Sequence, residues 1–249
     1  TLMTNIDIFI IGEFMNPSAV GLYAASLRPI GLIYLIPGFL SSAIFPIMNR
    51  FNASGDTQGL RNMSQLAMTA TLALAIPLVV GGTIIGGSLV HNIFGAEYAG
   101  SINSFKILLL TIVPVFPGMI LTFLLLSKGI RKAPVKATAI GAVINIILDL
   151  LLIPDYGIAG SAIATLVAQL AMNGILLFET RKFMDISPLR NLSKIIVSSA
   201  LMGVVVYVLL YAGMNSLIIM AVGAITYTAM LRITKEPTMM KVIGILKGS

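Results

Sequence analysis

The stretch from Pro134 to Thr180 constrains everything around it. Two apolar segments meet there at the short polar turn Pro154-Asp155-Tyr156-Gly157. Lys128, Arg131, Lys132 and Lys136 cluster at its start, and Arg181 and Lys182 follow its end. An apolar hairpin with basic ends and a cation-free tip is the pattern of two helices that cross a bilayer and return. Basic flanks stay in the cytoplasm during insertion, so the tip is expected outside. Composition points to the same solvent. The chain is 57% hydrophobic and only 10% charged, with a mean hydropathy of +1.00, against roughly 25% charged residues in soluble domains. A water-soluble core has no use for that much apolar surface.

About eight apolar segments run along the chain, which predicts an all-α polytopic membrane protein. The first, Leu2 to Met15, is about 14 residues, short of the roughly 20 needed to span. With Thr1 rather than Met in front of it, the expectation is a helix cut short, in the C-terminal part of a longer protein. The second, Ala19 to Met48, carries Pro29 and Pro37 as expected kinks, which membrane helices tolerate where neighbours satisfy the freed carbonyls. The third runs from about Ser64 to Val90, with Pro77 and the pairs Gly81-Gly82 and Gly86-Gly87. The fourth runs from about Ile102 to Ser127, with Pro114 and Pro117. The hairpin supplies the fifth (about Lys136 to Ile153) and sixth (about Ile158 to Glu179), and Ser193 to Tyr211 and Asn215 to Arg232 the last two. The expected division is a six-helix lobe over residues 1–180 and an added helix pair with a tail over 181–249. The tail from Ile233 is expected on the membrane surface.

This arrangement sorts the charges. Arg50, Arg61, Lys128, Arg131, Lys132, Lys136, Arg181, Lys182, Arg190, Lys194, Arg232, Lys235, Lys241 and Lys247 fall on one side, 14 of the 16 Lys and Arg. The opposite loops, near Asn16-Pro17, His91 to Gly100, Asp155 and Ala212-Gly213, hold none. The net charge of +7 therefore belongs to a cytoplasmic face suited to anionic lipid head groups, and nothing is left over to support nucleic-acid binding. The absence of Cys excludes disulfides and thiolate metal sites, and a single His gives no zinc cluster.

Four charges stand inside apolar segments: Asp7, Arg28, Lys106 and Asp149. Each costs roughly 2.5–3.5 kcal/mol at the centre of a membrane helix, so such a group is expected to face a partner or a wet cavity. Counted from the turn at Pro17, Asp7 and Arg28 both lie on the order of 15 Å below the outer surface. They are expected either to form an ion pair or to serve an anionic substrate, with Arg28 as the binding cation. Lys106 and Asp149 also match in depth. Lys106 is read as snorkelling to the interface, and Asp149 as either solvated or proton-carrying. Asn145 shares a helical face with Asp149 and either bonds across a helix interface or serves the site. His91 is read as solvated, the methionines as packing filler and the glycine pairs as close helix contacts.

The run from Asn145 to Thr165, NIILDLLLIPDYGIAGSAIAT, resembles the signature hairpin of prokaryotic polysaccharide (O-antigen type) flippases. These belong to the multidrug/oligosaccharidyl-lipid/polysaccharide exporter superfamily. Asn5-Ile6-Asp7-Ile8-Phe9-Ile10-Ile11-Gly12, then Val20 to Arg28, and Phe45-Pro46 with Gly55-Asp56 are similar as well. Position 149 departs from the pattern, with Asp where the family usually has Asn. The resemblance implies a two-lobe exporter of which this chain is the second lobe plus the final helix pair. It implies flipping of undecaprenyl-pyrophosphate-linked oligosaccharide across the cytoplasmic membrane by alternating access, with no cofactor and no bond chemistry. It implies Arg28, Asp7, Asn5, Tyr23 and Asn145 as substrate-binding positions and Asp7 and Asp149 as ion-coupling ones. The implied partners are membrane lipids and a polysaccharide polymerase or other pathway protein. The alternatives are a cation-coupled multidrug exporter, which would want an aromatic, acidic pocket, and a membrane-embedded sugar polymerase or ligase. The second alternative would want carboxylates on a sizeable outer loop, where only His91 and Glu97 are found.

Overall fold

The computed structural model describes residues 2–187 and 192–234, with side chains from residue 6 onward. Arg190, Lys235, Lys241, Lys247 and nearly all of the expected surface tail lie outside the described residues. The described chain is helical: α1 (Leu2–Phe14), α2 (Pro17–Ile33), α3 (Leu35–Ala53), α4 (Thr57–Phe94), a 3-10 turn (Ala96–Ser101), α5 (Ile102–Leu110), α6 (Ile112–Ser127), α7 (Lys132–Arg181), α8 (Ser193–Tyr211) and α9 (Ser216–Ile233). Six stretches among these residues are long and apolar enough to cross a membrane: Pro17–Ala53, Thr57–Phe94, Ala96–Ser127, Lys132–Arg181, Ser193–Tyr211 and Ser216–Ile233. The stretch Lys132–Arg181 contains two legs. With the short α1, these are the eight segments expected from the sequence.

Among the described residues, two prolines divide a span. Pro37 leaves the Ile33 carbonyl without its N–H donor, and Pro114 does the same to Leu110; α2 ends at Ile33 and α5 at Leu110. Pro29, Pro46, Pro77, Pro117 and Pro154 stay inside their helices. The hairpin reverses at one residue rather than over a four-residue loop. Gly157 takes φ 57° and ψ −140°, and helix continues on both sides of it. The legs touch just past the tip, where a Cβ on Gly160 would lie 2.4 Å from the Leu152 carbonyl oxygen.

Side-chain caps start the helices at the loops. Asn16 accepts from the Ala19 N–H at 2.9 Å, Asp56 from the Gly59 N–H at 2.7 Å and Asn215 from the Leu217 N–H at 2.9 Å. Each thereby satisfies one of a helix's free amides. At 38 residues, α4 is about 57 Å long, well beyond a hydrocarbon core of about 30 Å. Its polar first turns, with Thr57, Gln58, Arg61 and Asn62, project past the basic end.

Inside the bilayer, packing rather than water exclusion holds helices together, and small residues set the distance. Gly82 and Gly86 of α4 admit Leu109 and Phe105 of α5, and Gly81 faces Met202 of α8. One apolar cluster fills the far half of the lobe around Tyr23, Phe105, Leu108 and Phe116. A second fills the basic half around Met48, Leu60, Met68 and Leu124. The third joins α8 and α9 to α4 through Leu72, Ile85, Met202 and Ile219.

At the basic end the connection to α8 is tied down. Arg61 of α4 donates to the Asp185 carbonyl at 2.8 Å and pairs with its carboxylate at 3.0 Å. Gln65 donates to the Ser187 carbonyl at 2.6 Å and accepts from its N–H at 3.2 Å. Met184 and Ile186 bury their side chains beneath these contacts.

Candidate functional site

The first leg of α7 buries one residue per turn: Ala133, Ala137, Gly141, Asn145, Asp149 and Ile153. Five of these are apolar or neutral, so the helix could pack its inner stripe without charge, yet Asp149 lies on it. The second leg answers with Ser161 and Thr165, also one turn apart and inward. Asp149 and Thr165 each stand eight residues from the reversal at Gly157, which brings them to similar depth. α1 adds Asp7 and α2 adds Tyr23. Asp7, Tyr23, Asn145, Asp149 and Ser161 are fully closed to solvent, and Thr165 is 8% exposed.

One oxygen of Asp7 is fully engaged. Tyr23 Oη donates to Asp7 Oδ2 at 2.9 Å, Thr165 Oγ1 donates to the same oxygen at 3.0 Å, and the two hydroxyls stand 3.4 Å apart. The other oxygen, Oδ1, has no partner. Nor has either oxygen of Asp149, the amide of Asn145 or the hydroxyl of Ser161. Yet these groups adjoin: Asp149 faces Asp7 and Ser161, and Asn145 faces Asp7. An unmet buried polar group costs about 1–3 kcal/mol, and a charged one more. Two neighbouring carboxyl groups with no cation beside them among the described residues call for a proton or a bound cation to complete them. The open donors are all oxygens apart from the Asn145 amide nitrogen, which suits a small hard cation.

Of the two readings of Asp7 and Arg28, the ion pair does not form among the described residues. Counting along a helix gives a position on its axis but not a direction around it. Arg28 is five residues from Tyr23, about 140° round α2, and its side chain is exposed on the face opposite the core. Lys106 is half-buried on α5, with its stem against Gly86 of α4. Asp149 is buried rather than solvated. Among the residues expected to bind substrate, Asp7, Tyr23 and Asn145 are sealed inside the lobe and Arg28 is open. Asn5 lies in α1 with its side chain outside the described residues. His91 lies in the last turn of α4 and lines a recess with Asn92, Gly213 and Ser216 at the far end.

Ser161 and Thr165 were missed. Hydroxyl residues in membrane helices commonly bond their own backbone, which makes them inconspicuous. The signal available was the count from Gly157, which sets Thr165 opposite Asp149.

Known proteins share this framework. A family model described as lipid II flippase MurJ matches residues 2–228. The chain is 27% identical over 175 residues to "Probable low-salt glycan biosynthesis flippase Agl15" of Haloferax volcanii, an alignment covering 68% of this chain and 36% of that protein. It is 26% identical over 214 residues to "Probable flippase AglR" of the same organism, covering 82% of this chain and 44% of that one. Its fold superposes on a lipid II flippase MurJ in an inward closed conformation with a TM-score of 0.75 at 20% identity, over 94% of this chain and 50% of that one. The chain thus spans half or less of the length of these relatives.

Proposed function

The chain belongs to the lipid II flippase MurJ family, and from that premise we propose that it serves as one lobe of a flippase for lipid-linked oligosaccharide. The cargo is an undecaprenyl-pyrophosphate-linked oligosaccharide, carried from the cytoplasmic to the outer leaflet of the cytoplasmic membrane. Residues 1–180 form the working lobe, and 181–249 contribute the added helix pair. The cycle consists of binding, closure and re-exposure on the other side, as in other exporters built from two lobes. No covalent bond changes.

The observation that carries this reading is the contrast between Arg28 and the acids. Arg28 is exposed within a membrane-spanning helix and makes no ion pair among the described residues. A guanidinium at such a position is stable where it faces a wet cavity, and its planar donors match pyrophosphate oxygens. The acids Asp7 and Asp149 are sealed away from any cargo. A cationic drug would want the reverse, with carboxylates open and no arginine, so the multidrug alternative fits less well. The sealed acids suit a second ligand, a proton or a monovalent cation whose binding biases the lobe between its two openings. A lipid-linked repeat unit delivered outside is what a polysaccharide polymerase consumes, which makes such an enzyme the natural neighbour.

The test is flipping of a fluorescent undecaprenyl-pyrophosphate oligosaccharide by the full-length protein in proteoliposomes, read by quenching of the outer leaflet. Arg28→Ala is expected to slow it about 10- to 100-fold, the equivalent of a charged hydrogen bond worth roughly 1.5–3 kcal/mol. An undiminished rate would remove the proposal.

A further inference from the structure

Two of the membrane spans are broken at the same depth, and the breaks touch. The span made of α2 and α3 is interrupted at Tyr34, and the span made of α5 and α6 at Thr111. Each break sits three residues before a proline, Pro37 in one case and Pro114 in the other. Each follows directly on the residue whose carbonyl that proline leaves without a donor. The hydroxyls of Tyr34 and Thr111 are hydrogen-bonded to each other across the gap between the helices. Thr111 also bonds back to the Leu108 carbonyl, and its N–H reaches the same carbonyl at 3.0 Å, a tightened turn at the break itself.

The two spans run parallel and stay in register from end to end. Ser26 Oγ donates to the Ser101 carbonyl at 3.0 Å near the far end, a separation of 75 residues in sequence. Tyr34 and Thr111 are 77 apart. Asn52 Nδ2 donates to the Ser127 carbonyl at 2.9 Å at the basic end, again 75 apart. The offset is the same at the two ends and differs by two residues at the breaks, so the spans match in register where they are pinned. Two parallel rods pinned at both ends and each weakened at the same level can bend only together.

We infer that Tyr34 and Thr111 form a latch across a paired hinge, through which the α2–α3 and α5–α6 spans bend as one unit. The latch is a hydroxyl pair, so bending can exchange one partner for the freed carbonyls of Ile33 and Leu110 or for water at little cost. Arg28 stands on the α2 side of the hinge, so a bend there would swing its guanidinium relative to α3 and the basic end. Such a bend can be measured without any cargo present.

Spin labels report it directly. This chain has no Cys, so labels are introduced into the full-length protein, with any cysteines elsewhere removed, by Asn103→Cys and Arg131→Cys across the α5–α6 break. A second pair, Gly21→Cys and Asn49→Cys, spans the α2–α3 break; all four sites are exposed. Pulsed electron–electron distances are then compared between the parent, Tyr34→Phe, Thr111→Val, the double variant and Thr111→Ser. Tyr34→Phe is expected to change the ratio of the distance populations across α5–α6, a helix it does not alter, by about fivefold, the shift that goes with loss of one buried hydrogen bond. Thr111→Val is expected to do the same across α2–α3, the double variant no more than either single one, and Thr111→Ser to behave as the parent. Lowered thermal stability with unchanged distances would show a bond that merely packs the helices and would overturn the inference. So would a change confined to the mutated span, or additive effects in the double variant.

Discussion

Asp7 has one engaged carboxylate oxygen and one open one. Oδ2 is held by Tyr23 and Thr165, which fixes the carboxylate's orientation, while Oδ1 and both oxygens of Asp149 stay open. Asn at either position keeps the shape but gives up the charge. Asp7→Asn and Asp149→Asn are therefore expected to abolish the dependence of flipping on the driving cation, measured as the rate with and without a sodium or proton gradient. A rate that still follows the gradient would place coupling elsewhere. Tyr23→Phe removes one of two donors to Oδ2 and is expected to have the milder effect, a loss of roughly 0.5–1.5 kcal/mol seen as a severalfold weaker response to the gradient. Both acids were legible in the sequence, since a carboxylate in an apolar run has few neutral explanations. Their mutual contact was not. α1 and the first leg of α7 are far apart along the chain, and only packing brings Asp7 against Asp149.

At the scale of the helix, the informative positions are those where a single atom decides whether two elements can meet. Asn173 of α7 lies so close to Gly118 of α6 that a Cβ there would fall 1.5 Å from its Oδ1. Its amide donates to the Gln169 carbonyl at 2.7 Å, so the side chain is held in place. Gly118→Ala is expected to destabilise the lobe by about 1–3 kcal/mol, read as a lower unfolding temperature in detergent. Combining it with Asn173→Ala should restore part of that loss. At the hairpin tip, Gly157→Ala places a side chain at φ 57° and ψ −140°, outside the left-handed helical region, and is expected to cost roughly 1–3 kcal/mol. The hairpin itself was evident from the chain, because its apolar lengths and basic ends admit few other arrangements. That one glycine would make the reversal was not evident, since Pro154-Asp155-Tyr156-Gly157 reads as a loop until the flanking helices are seen to run through its first three residues.

For the molecule as a whole, the added pair α8–α9 is held in two ways. Apolar packing fastens it to α4 inside the membrane, and Arg61 and Gln65 fasten its connection at the basic end. The Arg61–Asp185 pair is largely exposed, with side chains 37% and 88% accessible, so its loss costs below about 1 kcal/mol of stability. Arg61→Ala combined with Gln65→Ala is expected to leave the unfolding temperature nearly unchanged while raising amide exchange in residues 182–187. Protection that stays unaltered would show that Met184 and Ile186 alone anchor the connection. Solvent and helix count followed from the chain without coordinates, because hydrophobic length is summed over many residues and survives local errors. Position along each helix followed as well, being a matter of counting. The direction each side chain takes around its helix did not, and that is what separates an exposed Arg28 from a sealed Asp7. It depends on which neighbour packs on which face, a choice made by contacts between segments more than a hundred residues apart.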